Sequence, residues 1–247
     1  MIKLFRNIRQ NLLAEGKTTK YFKYAIGEII LVVIGILIAL QVNNWNIERL
    51  NKIEEQSYLK AIKTDLKKDV LLLKDLVHDI DIELITLEKI KKGLTSDSTT
   101  INQNVAFTNS LLTTFSFLPE KATIEDLKSS GKLNLLANKI VKDTLLSYYN
   151  YVDTRINALN TSIVTYARDI IAPFLMTDYT LEYSYPESLI TKKSKIVSLN
   201  SEQKENQFLK NAVKYRIALL SSLKANYEKM IININRFQET LDKEIKT

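Results

Sequence analysis

Apolar residues recur at Leu59, Ile62, Leu66, Val70, Leu73, Val77, Ile80, Leu84 and Leu87, and steps of three and four of this kind predict one long amphipathic helix. Neither Gly nor Pro interrupts the chain between Trp45 and Gly93. The helix can therefore run on from whatever precedes it, with the polar stretch NKIEEQS, residues 51–57, as the expected place for a bend. Gly93 and the polar segment LTSDSTTINQN should end it. A shorter helix is expected from Ala106 to Phe117, stopped before Pro119. Thr123-x-x-Asp126 has the spacing of a capping box, in which hydroxyl and carboxylate each accept from the other's amide end, and Ser129-Ser130-Gly131 reads as the stop of the helix it would open.

The same periodicity returns in Leu136, Ile140, Leu145, Tyr148, Val152, Ile156, Leu159, Ile163, Tyr166 and Ile170. It predicts a second long helix from about Leu135 to Leu175, kinked or ended by Pro173. Residues 176–199 form the long irregular segment. Asn200 or Ser201 can then cap a last helix carrying Phe208, Val213, Ile217, Leu220, Leu223, Tyr227, Ile231, Ile234, Phe237 and Leu241. Three long stripes are buried most simply in an antiparallel helical bundle. The fold class expected is all-α, and the scarcity of Gly and Pro, five and three residues, agrees with it.

One stretch has no periodicity because it is apolar all round. In IILVVIGILIAL, Ile29 to Leu40, ten of twelve residues are Ile, Leu or Val, which sums to roughly −3 to −6 kcal/mol for membrane insertion. Twelve residues fall short of the about 20 needed to span a bilayer core. The flanks extend it, because Tyr21, Phe22 and Tyr24 on one side and Trp45 on the other stand where two interfacial aromatic belts would be. No small-x-small cleavage site follows, so the helix is expected to stay as a signal anchor. The domains expected are thus a basic amphipathic segment over residues 1–20, a transmembrane helix over 21–45 and a helical-bundle domain over 46–247.

Charge refines this picture. Of the formal net charge of +7, residues 1–28 carry +4, through Lys3, Arg6, Arg9, Lys17, Lys20 and Lys23 against Glu15 and Glu28. The basicity belongs mainly to the anchor, and the bundle, with acids and bases mixed along every helix, has no basic stripe for nucleic acid. Six Lys and Arg lie within the first 24 residues, against Arg49, Lys52, Lys60 and Lys63 in the 20 after Trp45. The excess places the N-terminus in the cytoplasm and residues 46–247 in the periplasm. Ile2, Phe5, Ile8, Leu12 and Leu13 form an apolar side beside Lys3, Arg6 and Arg9, suited to the lipid surface.

Within the anchor, Glu28, Val32, Gly35, Ala39 and Val42 share one face, and Gly35-x-x-x-Ala39 would let two helices approach closely. These residues are a candidate transmembrane interface for a homo-oligomer. Glu28 reads either as a functional intramembrane carboxylate or as a group one turn inside the cytoplasmic interface, reaching headgroup water or Tyr24.

The opening MIKLFRNIRQNLLAEGKTTKYFKYAIGEIILVVIGILIALQVNNWN, and later TIEDLKSSGKLNLL before LLSYY, resemble a family of bacterial membrane proteins of unknown function. The resemblance covers residues 1–46 and, more loosely, about 123–149. It implies an envelope protein of Gram-negative type with an N-terminal anchor and a helical remainder. No activity, ligand or catalytic residue comes with it.

Candidate chemistry is sparse. The sole histidine stands in Asp75-x-x-His78 near Asp79, Asp81 and Glu83, but a di-iron bundle needs Glu-x-x-His on each of two helices, so a solvated helix face is the better reading. With no cysteine there is neither a disulfide nor a thiolate metal site. No P-loop, dinucleotide fingerprint or nucleophile elbow occurs. No enzyme, metal or cofactor is expected. Tyr148, Tyr149 and Tyr151 cluster on a helix, and Tyr179, Tyr183 and Tyr185 in the long loop, where tyrosine suits an interaction surface or simply packs the loop.

The function expected is that of an inner-membrane interaction or scaffold protein, partnered by the lipid bilayer and by a second copy or another envelope protein. One alternative is a periplasmic sensor acting through a partner, since only about 20 residues precede the anchor. The other is an accessory subunit of a transport or ion-driven complex, which rests on Glu28.

Overall fold

The computed structural model describes residues 18–95, 107–178 and 207–245, all helical or in the turns between helices. Its helices are α1 (Thr18–Thr95), α2 (Phe107–Leu112), α3 (Ala122–Ser129), α4 (Lys139–Tyr151), α5 (Asn157–Thr165), α6 (Ala172–Asp178) and α7 (Gln207–Glu244), with a 3₁₀ turn at Lys132–Leu135. Two π-helical stretches, Val152–Ile156 and Tyr166–Ile171, join α4 to α5 and α5 to α6. The expected fold class holds. Residues 1–55 and 56–247 form two separate units. Residues 1–17 of the basic segment expected over 1–20, and the cap at Asn200 or Ser201, lie outside the described residues.

In the second unit the α1 stripe is buried as its spacing predicts, from Leu59 to Leu94, with Val77 and Leu84 partly covered. Burying each such side chain contributes about 1.5–3 kcal/mol. Helical hydrogen bonding continues through residues 51–57, so α1 is not interrupted there. The last helix runs antiparallel to α1: Gln56 donates to the Glu244 carbonyl at 3.0 Å, Lys63 pairs with Asp242, and Lys224 reaches Asp81 at 2.6 Å. It is antiparallel to α4–α6 as well, since Asn138 meets Glu244, Tyr151 meets Asn226 and Tyr166 meets the Ala212 carbonyl. It follows that α1 and α4 run in the same direction, which the long connection between them permits.

That connection departs from the sequence reading in two places. The helix expected over Ala106 to Phe117 ends at Leu112. Beyond it Phe115 and Phe117 are both buried, the alternation of an extended chain, and the Phe117 amide donates to the Tyr227 hydroxyl at 3.1 Å. The capping box at Thr123 does not form: Lys121 occupies the N-cap without a side-chain bond, because the Thr123 hydroxyl donates to Asp65 and Asp126 accepts from Tyr58. Tertiary partners take both groups. The stop at Gly131 is as expected, with φ at +71°, a left-handed conformation that glycine adopts without steric cost.

The second long helix begins at Lys139, capped by Asn138, whose Oδ1 accepts from the Ile140 and Val141 amides. This start leaves Ile140 67% exposed and turns Val141 inward. Pro173 does not end the helix: it is the second residue of α6, directly after the π stretch Tyr166–Ile171. The π stretch just before it widens the turn, giving the ring room where an α-helix would press it against the carbonyl four residues back. The extra residue in that turn shifts the stripe, so Ile170 faces out and Ile171 in.

Candidate functional site

In the first unit α1 carries its apolar residues uncovered. Ile29, Leu31, Leu37 and Ile38 are each about 60% exposed. Among the described residues one helix is long and apolar enough to cross a membrane, and none of its apolar window is buried. That is consistent with a membrane anchor or a signal sequence. Glu28, Val32, Gly35 and Ala39 lie along one face of this continuous helix, as their spacing requires. A Cβ added at Gly35 would meet nothing within 4 Å.

In the second unit the polar chemistry gathers where the sequence reading did not look. Asp65 and Asp69, one turn apart on α1, are 7% and 1% exposed. Asp69 accepts from the Glu120 amide through Oδ1 at 2.9 Å and from the Tyr148 hydroxyl through Oδ2 at 2.6 Å. Tyr149 donates to the Glu120 carbonyl at 2.6 Å, and Lys68 pairs with Glu120 at 2.8 Å. Together these groups tie α1, the segment leading into α3, and α4.

Burial raises the Asp69 carboxyl above its ordinary range, while the Tyr148 hydroxyl and the Glu120 amide pull it back. Burial, with the Asp69 charge beside them, pushes the Tyr148 and Tyr149 phenols up, so both stay protonated and serve as donors. The three tyrosines of α4 are thus engaged within the bundle, Tyr151 through Asn226 at 2.6 Å. Tyr179, Tyr183 and Tyr185 lie outside the described residues.

The other buried charge is Arg216, fully enclosed on α7. Its guanidinium donates to the carbonyls of Ser110 at 3.2 Å and Thr113, and lies 5.8 Å from the centre of the Tyr166 ring. Burial lowers its pKa, with Tyr166 and Glu83 opposing. Among the described residues Nη1 has no hydrogen-bond partner, nor has Oε1 of Glu83. The sequence signal for these residues was present but weak: Asp65 and Asp69 flank Leu66 and Val70 inside the stripe, and Arg216 sits three residues after Val213 and four before Leu220.

His78 is exposed on α1, as a solvated face requires. Among the described residues no three His, Cys, Asp or Glu side chains are grouped to hold a metal ion. The same side of α1 also carries Leu71, Ile82 and Ile85, each more than half exposed, with the exposed Lys74, Asp75 and His78 between Leu71 and Ile82.

No curated protein and no solved structure matches the chain. One family model does, over residues 28–164, which takes in the whole apolar run, the TIEDLKSSGKLNLL segment and α4, and stops before α7. Because that match spans more than half of the sequence, the chain belongs to the family described as a family of unknown function, DUF6090.

Proposed function

We propose that this is a single-pass protein of the bacterial inner membrane, N-terminus in the cytoplasm and bundle in the periplasm, that acts without catalysis as an interaction or scaffold protein of the envelope. The observation that carries the reading is the uncovered apolar length of α1, which in water would be a large unpaid exposure and in lipid is none. The aromatic flanks on both sides support a span, and the excess of Lys and Arg before it supports the orientation.

Because the sequence contains no cysteine, single substitutions give clean reporters of topology. Asn51→Cys should react with a membrane-impermeant maleimide in intact spheroplasts, and Asn7→Cys only after lysis. The reverse pattern would overturn the orientation, and reaction of both without lysis the anchor. Crosslinking in native membranes followed by mass spectrometry should recover a constant protein partner or a second copy. Recovery of a polytopic complex whose activity fails in Glu28→Gln would favour an accessory subunit instead.

A further inference from the structure

Past Trp45, α1 continues without interruption through residues 46–55 of the same unit. Every residue from Asn46 to Ile53 is exposed, and Ile47, Leu50 and Ile53 are 46–57% so. Their order has a period: Asn43, Asn46, Leu50 and Ile53 step by three and four, the spacing of a coiled-coil seam. Counted back into the proposed span, the same seam meets Ile29, Val32, Ile36 and Ala39. Inside that run nearly any face is apolar, so the information lies from residue 42 onward. The seam stops at its next positions, Ser57 and Lys60, where the buried stripe of the bundle takes over at Leu59.

The residues beside the seam say what it meets. In two parallel helices held in register, a residue flanking the seam faces the one five positions further on in the other helix. Those pairings are Val42 with Ile47, apolar against apolar, and Arg49 with Glu54, opposite in charge. A symmetric pair makes each of them twice. The positions turned away, Glu48, Asn51, Lys52 and Glu55, are all polar. Arg49 also donates to Oδ1 of Asn46 at 3.2 Å, which keeps the guanidinium beside the seam. Asn43 and Asn46 can bond across it when two helices stand level, and so select the register. From this self-complementary charge pattern we infer that α1 pairs with α1 of a second copy in a parallel, in-register coiled coil whose part outside the lipid is Asn46 to Glu54. The inference rests on the single-pass reading, since a shared membrane is what makes two copies parallel and sets them at one depth.

The cysteine-free sequence allows a direct test with the full chain. Single cysteines between residues 46 and 53 are oxidised with copper phenanthroline in native membranes. Self-linked pairs should form best in Asn46→Cys, Leu50→Cys and Ile53→Cys, and at least about threefold less in Glu48→Cys, Asn51→Cys and Lys52→Cys. In the Leu50→Cys background, Arg49→Glu alone or Glu54→Arg alone should lower the yield about threefold, and the two together should restore it. Linking that lacks this period, or charge reversals that do not rescue each other, would overturn the proposal. So would linking of Leu50→Cys to a different protein in place of a second copy. A carbonate wash separates this failure from that of the anchor: a chain that stays with the membranes and does not link overturns the pairing alone, and a chain that is released overturns both.

Discussion

The Tyr148 hydroxyl donates to Oδ2 of Asp69 at 2.6 Å, joining residues 79 positions apart in the sequence across the interior of the bundle. Burial holds the Asp69 carboxyl above its ordinary range. The folded protein therefore binds that proton more tightly than the unfolded chain does, and the effect of Asp69 on stability is most favourable below the unfolded value, around pH 4, and is lost as pH rises through the folded one. Tyr148→Phe removes a donor to the carboxylate, raises the folded value further and extends the loss upward. We expect it to cost about 1–3 kcal/mol near pH 7, and clearly less near pH 4. Urea unfolding of the full chain followed by circular dichroism at the two pH values measures both; an equal penalty at each would exclude the linkage to Asp69.

How far such contacts were legible depends on what specifies them. The stripe from Leu59 to Leu87 is a local property, since hydrophobic spacing states which side of a helix must be covered, and that side is the buried one. Arg216 has no such signature, because a long charged side chain among apolar neighbours ordinarily reaches solvent, and only the carbonyls of Ser110 and Thr113 at the end of α2 give it a place inside. Thr123 and Asp126 had the local pattern of a cap but found partners in Asp65 and Tyr58, residues about 60 positions away. The slip from Ile170 to Ile171 required knowing that the turn before Pro173 is π-helical, which a fixed period of 3.6 cannot express. The spacing of Glu28, Val32, Gly35 and Ala39 says only that they share one face of a helix, and carries nothing about what that face meets.

Arg216 fastens the end of α2 to α7 by two backbone carbonyls. In Arg216→Ala those carbonyls lose their donor and a cavity opens beside Tyr166, so the loss should be about 3–5 kcal/mol. Arg216→Met keeps most of the volume, removes a buried charge that has no ion pair among the described residues, and should lose less. Limited proteolysis gives an independent reading: cleavage should appear between Leu112 and Phe117 in the alanine variant before the bundle as a whole unfolds. Cleavage elsewhere first would mean that Arg216 does not hold this segment.

Gly131 adopts φ +71°, and a Cβ there would meet nothing within 4 Å. The cost of Gly131→Ala is then that of the left-handed backbone alone, about 1–2 kcal/mol. Gly131→Asn should recover most of it, since asparagine visits that region more readily. A shift of the urea midpoint with unchanged slope in both variants would show this. Equal destabilisation by the two would point to a steric cause that the open surroundings do not supply.

Gly35 separates a helix that merely holds the protein in the membrane from one that also pairs. In a single chain its neighbourhood is open, so Gly35→Ile should leave membrane insertion intact and, by adding apolar surface, even favour it slightly. In a pair that meets through Gly35 and Ala39 the added branch would force the helices apart and remove the close packing that drives association in lipid. Ala39→Cys then provides the measurement, because oxidative crosslinking at that position should trap a dimer in the otherwise wild-type chain and lose most of it when Gly35→Ile is added. Glu28→Gln in the same background tests whether the carboxylate contributes to the face: loss of crosslinking would give it a pairing role, and full retention would leave it at the interface with water. Crosslinking that persists in Gly35→Ile would move any association away from this face.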